Sequence, residues 1–188
     1  MRNSKIRRMT GIAILSAVVV VLQSVGSFIR FGSVPVSLVL IPIVVGAAMY
    51  GPAAGAFLGG VFSIVVLLLP DTAFFYGISF AGTVVTVLVK GISAGYLSGL
   101  TFKLVSGKNQ WHAVVLAAMV CPIVNTGFFA LGSRLFFWDT YAQMGSGNAM
   151  TILLTVMIGF NFFAELAANM ICAPVILRIL HAVNKSNS

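Results

Sequence analysis

The chain has 188 residues, 60% of them hydrophobic and only 7% charged, with a mean hydropathy of +1.09; a soluble domain carries about 25% charged residues. Too few polar groups are present to cover a water-facing surface, which excludes a soluble protein and leaves a single integral membrane domain. The net charge of +8 comes from a shortage of acids, and no basic groove with interleaved aromatics accompanies it, so nucleic-acid binding is excluded as well.

A helix crossing the hydrocarbon needs about 20 apolar residues. Six segments qualify, and they predict an all-α bundle of six transmembrane helices over residues 1–188. The first spans about 9–29, too long for a signal-peptide core and read as a retained helix. The second spans about 35–50; it is short, contains Pro35 and Pro42, and stops at Gly51-Pro52. The third, about 53–69, ends at Pro70-Asp71. The fourth covers about 82–104, and the fifth about 112–138 with Pro122 inside. The sixth covers about 149–180, with Pro174 near its end.

Lys and Arg placement sets the orientation. Arg2, Lys5, Arg7, Arg8, Lys103, Lys108, Arg178 and Lys185 fall at one end, against Arg30 and Arg134 at the other. Both termini are therefore expected in the cytoplasm. The outer loops are then 30–34, 71–81 and 139–148, with Trp138 and Tyr141 in the outer aromatic belt. Two glycine stripes, Gly51/Gly55/Gly59 and Gly91/Gly95/Gly99, recur every four residues. Such small-residue stripes let helix backbones approach closely in lipid, and tight packing is their expected use.

An ionisable group in the hydrocarbon is costly, about 2.5–3.5 kcal/mol on insertion scales, so it faces a partner or a cavity. Lys90 and Glu165 are the two such groups. Asn161, Glu165 and Asn169 share one face of the sixth helix. Thr83, Thr86 and Lys90 form a second ladder, on the fourth helix, and Asn125 and Thr126 follow Pro122 on the fifth. Phe128, Phe129, Phe160, Phe162 and Phe163 lie near these ladders. Counted from the helix starts, Glu165 sits roughly 24 Å along its helix and Lys90 roughly 12 Å. The two approach only if the sixth helix is tilted or begins above the hydrocarbon. Lys90 and Glu165 either pair to lock the bundle or line a small-molecule pocket. In the pocket reading, Asn161, Asn125, Thr86 and Phe129 join them at the ligand, and Asn169 is structural, bonding a neighbouring helix.

With three acids and two histidines, the chain offers no nucleophile–base arrangement, no metal-ligand spacing and no phosphate loop. No enzyme activity, cofactor or metal is expected. Cys121 and Cys172 lie far apart in apolar runs and read as small core residues.

AILSA in the first helix carries Ala13 and Ala17 as an AxxxA pair. VSLVLIPIVVGAAMYGP gives the short second helix, and GPAAGAFLGG opens the third. With six helices in under 190 residues, this resembles a substrate-binding S-component of an energy-coupling factor (ECF) vitamin importer, over about residues 9–180. The resemblance implies a membrane subunit of the bacterial plasma membrane that binds a vitamin from outside. It also implies partners: a transmembrane coupling subunit and two cytoplasmic ATPases. Ala13 and Ala17 would be the docking face. The pocket would lie in the outer half, capped by the loops from Arg30 and Asp71. The second loop is aromatic, with Phe74, Phe75 and Tyr76 after Asp71, as suits an apolar lid. The mixed donors and acceptors suit a polar vitamin such as pantothenate or riboflavin. The rival reading is a small secondary transporter or channel working without ATPases, which needs a continuous polar path.

Overall fold

A computed structural model describes residues 2–26, 30–31, 34–35, 38–144 and 160–185, a few of them, Asn161 included, by backbone alone. The helices are α1 (Arg2–Gly26), α2 (Leu40–Tyr50), α3 (Pro52–Leu68), α4 (Ala73–Ile78), α5 (Phe80–Val105), α6 (Gln110–Phe136), α7 (Trp138–Met144) and α8 (Phe160–Lys185). Two two-residue strands, β1 (Arg30–Phe31) and β2 (Val34–Pro35), pair antiparallel after α1, with Arg30 opposite Pro35. A 3-10 turn, Pro70–Thr72, joins α3 to α4.

The described residues form an all-α protein apart from that short ladder. Four helices, α1, α5, α6 and α8, are long and apolar enough to cross a membrane on their own. The α3 and α4 segments together make a fifth candidate, bent by 75° at Pro70. Leu69 is extended there, and Pro70 cannot continue the α3 ladder. The second expected span, α2, is only 11 residues long.

Several boundaries differ from the sequence expectation. The second helix begins at Leu40 rather than near residue 35, and Pro35 belongs to β2. Pro42 falls in the first turn of α2, where backbone N–H groups have no intrahelical partner and proline is tolerated. The first helix begins at Arg2, because nothing between the basic residues and Met9 breaks it. The fifth stops at Phe136, and the expected outer loop after it contains α7. The outer loop from Asp71 is likewise largely helical, as α4. The expected helical residues 27–29 and 149–159 lie outside the described residues.

α2 is short because it does not face lipid. Leu40, Ile43, Val44 and Ala47 are buried, and it packs against α1, α3, α5, α6 and α8. A helix apolar on every side and enclosed by others is a core element. The outer surface is apolar too: Ile14, Val21, Phe57, Ile64, Leu131, Ile171 and Val175 are all exposed. A shell of this kind suits hydrocarbon rather than water.

The two glycine stripes meet. A side chain at Gly55 would run into the Gly95 backbone, and one at Gly59 into Gly91. Ser63 fastens the contact: its hydroxyl lies 2.7 Å from Val87 O of α5 and 2.9 Å from Gly59 O of its own helix, so its one proton is shared between the two carbonyls. Gly51 does not join its expected stripe. It turns the chain from α2 to α3 with φ +92°, and Pro52 takes the place opposite Gly99. The antiparallel α3–α5 crossing therefore puts Tyr50 and Lys103 at one end. At that end His181 Nε2 lies 3.0 Å from Gln110 Oε1, joining the end of α8 to the start of α6. The basic residues of α1, of the α5–α6 turn and of the end of α8 thus share one end of the bundle.

Candidate functional site

α5 supplies a cation to the interior. Its polar stripe starts at Ser79, whose hydroxyl accepts from Gly82 N and caps the helix. Thr83 is satisfied within the helix, donating to Ser79 O at 2.7 Å. Thr86 is buried against Gly132 of α6, and its Oγ1 has no hydrogen-bond partner. One turn on, Lys90 is half-buried, with Nζ 5.2 Å from the centroid of the Phe129 ring and 5.8 Å from that of Phe62. A cation over two ring faces at that range is stabilised by about 0.5–2 kcal/mol per ring.

α6 lines the same interior with Cys121, Asn125 and Phe129, one every four residues. Asn125 is buried and its Oδ1 lacks a partner. Ser98 of α5 donates to Ala117 O at 2.9 Å, holding the two helices together one turn before Pro122. From α8, the Glu165 carboxylate is buried and acts electrostatically on both Lys90 and Cys121. It lies in the second turn of the described part of α8, so the depth difference expected between it and Lys90 does not keep them apart. α6 packs closely on both α5 and α8. The expected role of Asn169 changes. Its Nδ2 donates to Glu165 O of its own helix at 2.9 Å, not to a neighbouring helix, and its buried Oδ1 lacks a partner.

Over this interior runs α4. Phe75 meets Phe129 edge-on at 5.8 Å and Phe137 at 5.2 Å. With Ile78 and Trp138 it covers a second apolar cluster centred on Phe137 and Tyr141. Tyr141 and Ser133 are wholly buried and lie side by side without reaching hydrogen-bond geometry. Burial pushes the Tyr141 phenol above its ordinary range, and the Ser133 hydroxyl opposes this. Arg134 lies 4.3 Å from the Trp138 ring.

The structure thus brings Lys90, Glu165 and Phe129 together, with Thr86 and Asn125 one helical turn away and Phe75 against Phe129. It does not bring the other lid residues to them. Tyr76 stacks on Phe80 and donates to Leu67 O at 2.7 Å, Phe74 touches Phe75 from an exposed position, and Asp71 is exposed. Asn161 belongs to α8, but its side chain lies outside the described residues. Ala13 and Ala17 are exposed on α1. Sequence reasoning missed Phe62 and Ser63. Both come from α3, which carries no charge to draw attention to them.

What the interior offers is chemically specific. One ammonium sits against aromatic faces, one carboxylate is near it, and the buried oxygens of Thr86, Asn125 and Asn169 await donors. A buried polar group left unsatisfied costs about 1–3 kcal/mol.

Comparison with known families gives one match. A family model described as ECF transporter, substrate-specific component, matches residues 7–177. No curated protein matches the chain, and no solved structure does.

Proposed function

The chain belongs to the substrate-specific components of ECF transporters, and from that premise we propose that its Lys90 cluster binds a vitamin-class small molecule. The observation that carries this reading is the set of unpartnered oxygens of Thr86 and Asn125 beside a lysine already held by Phe62 and Phe129. The ligand places an aromatic or apolar part against Phe129, gives donors to Thr86 and Asn125, and offers an acceptor or anionic group to Lys90. Pantothenate and riboflavin both meet that description. Asn161 joins the site from the start of α8, and α4 with Phe75 is its lid.

In this reading α2 counts as the sixth helix and the basic end of the bundle faces the cytoplasm of a bacterial cell, since Lys and Arg concentrate there. Ala13 and Ala17 dock on the coupling subunit, and two ATPases supply the energy. Family membership favours this over a transporter working alone, and uptake into vesicles without the ATPases distinguishes the two.

The test uses the purified full-length protein. Mass spectrometry of retained small molecules identifies the ligand. Affinity for that ligand is then measured for Thr86→Val and Asn125→Ala. Each should weaken binding by about 1–3 kcal/mol. Thr86→Val replaces an unsatisfied hydroxyl with a methyl of similar size, so the ligand-free protein should melt no lower. Normal affinity in both variants overturns the assignment.

A further inference from the structure

The inward line of α6 does not end at the Lys90 cluster. Cys121, Asn125 and Phe129 follow one another at four-residue intervals, and Ser133 is next in that series. Eight residues of helix put it about 12 Å along the axis from Asn125. Beside it lies the hydroxyl of Tyr141, brought there by α7. Both residues are 0% exposed, and neither the Ser133 Oγ nor the Tyr141 hydroxyl has a hydrogen-bond partner. Tyr141 is therefore not in the aromatic belt expected from its sequence position, where its hydroxyl would reach water. Thr83 turns its hydroxyl back onto Ser79 O of its own helix; Ser133 does not. Nor would closing the gap between Ser133 and Tyr141 satisfy them. Each hydroxyl brings one proton and two lone pairs, so a bond between them leaves one proton unused. The surroundings, Phe75, Ile78, Phe137 and Trp138, offer it nothing from their side chains at Tyr141. Phe75 also meets Phe129, so one ring packs on this cluster and on the Lys90 cluster.

We propose that Ser133 and Tyr141 form a second polar subsite of the Lys90 site, which takes a hydroxyl at the end of the ligand remote from Lys90. The inference rests on the Lys90 cluster being the ligand site, and it narrows the ligand. The molecule is elongated, with an acceptor or anionic group at one end for Lys90, a middle part on Phe129, and one or more hydroxyls at the other end. A ligand that joins the two subsites passes beneath Phe75.

Isothermal titration of the purified full-length protein tests this with two probe pairs, each a hydroxylated molecule and its counterpart without the remote hydroxyls. The pairs are pantothenate with the analogue whose terminal hydroxymethyl is a methyl, and riboflavin with lumiflavin. The wild-type protein should bind the hydroxylated member of one pair about tenfold more tightly, the value of one buried hydrogen bond. Ser133→Ala combined with Tyr141→Phe should remove that preference and leave binding of the truncated member unchanged. Both replacements delete hydroxyls that have no partner, so the double variant should melt no lower. Equal wild-type affinity for the two members overturns the proposal. So does a preference that survives in the double variant, because the remote hydroxyls are then bound elsewhere. An equal loss for both members overturns it too, since the two residues then only support the fold. Asn125→Ala separates this inference from the reading beneath it. If that variant binds both members more weakly while the double variant binds like wild type, the Lys90 site stands and the second subsite falls. If the wild-type protein binds none of the four probes, the Lys90 reading falls and the subsite with it.

Discussion

Lys90 holds its ammonium 5.2 Å from the centre of the Phe129 ring, and Phe129 in turn meets Phe75 edge-on at 5.8 Å. One ring therefore touches both the half-buried cation and the short helix above it. A change in what Lys90 contacts is felt at α4 through a single aromatic side chain. That gives the proposed site and its proposed lid a physical connection, made by packing alone.

The charge pair is the first point to test. Glu165 is buried, while Lys90 is half-buried and feels its carboxylate. Glu165→Gln leaves that ammonium uncompensated and should destabilise the protein by up to about 3 kcal/mol, the lower end of the range because Lys90 is not fully enclosed. Lys90→Met combined with Glu165→Gln removes both charges and should recover most of that stability, while ligand binding stays lost. Melting temperature and affinity are measured on all three proteins. A double variant that binds normally would show that neither charge touches ligand.

The polar ladders are legible in the sequence because ionisable groups in an apolar chain are few and helical periodicity fixes their faces. Lys90, Glu165 and Asn125 stood out for that reason. Phe62 did not, because one phenylalanine among 15 carries no signal of its own. Ser63 and Ser98 were equally silent, since their partners are backbone carbonyls of Val87 and Ala117 that no side-chain pattern reveals. The bend at Pro70 was marked by its proline, but α4 beyond it was hidden in what read as an aromatic loop. The extended segment at Pro35 reads as helix in the sequence, because hydropathy alone does not separate an apolar hairpin from an apolar helix.

The α3–α5 contact predicts a sharp contrast between adjacent glycines. A Cβ at Gly59 would overlap the backbone of Gly91, whereas one at Gly60 would meet only Ile92 Cγ1 at 3.7 Å. Gly59→Ala should therefore destabilise by about 1–3 kcal/mol, the cost of overpacking. Gly60→Ala should be neutral or stabilising, because alanine is favoured over glycine in a helix interior by about 0.8–1 kcal/mol. Thermal unfolding in one detergent compares them. Equal losses would mean that the two backbones are not in contact.

Ala13 and Ala17 are exposed on α1, the least enclosed of the four long helices. If that face docks on the coupling subunit, Ala13→Trp and Ala17→Trp should abolish uptake in cells and co-purification with the coupling module. Affinity of the isolated subunit for its ligand should not change, since neither residue contacts the Lys90 cluster. Loss of affinity to the same degree as uptake would mean that this face supports the fold and not a partner.

Phe75 is the residue through which a lid would report on the site. Its ring bridges Phe129, against Lys90, and Phe137, in the cluster beneath α4 and α7. Each such ring pair is worth about 0.5–1.5 kcal/mol beyond the area it buries. The rest of α4 is held separately, by Tyr76 on Leu67 O and Thr72 on Val66 O at 2.6 Å. Phe75→Ala should therefore leave α4 attached to α3 while breaking its link to Phe129. Backbone hydrogen exchange over Ala73–Ile78 should slow when ligand binds the wild-type protein, because an ordered ligand fixes Phe129 and through it Phe75. In Phe75→Ala that slowing should disappear, and ligand should dissociate faster with little change in its association rate. Equal exchange with and without ligand in the wild-type protein would mean that α4 is a fixed roof, and that ligand reaches Lys90 by another path.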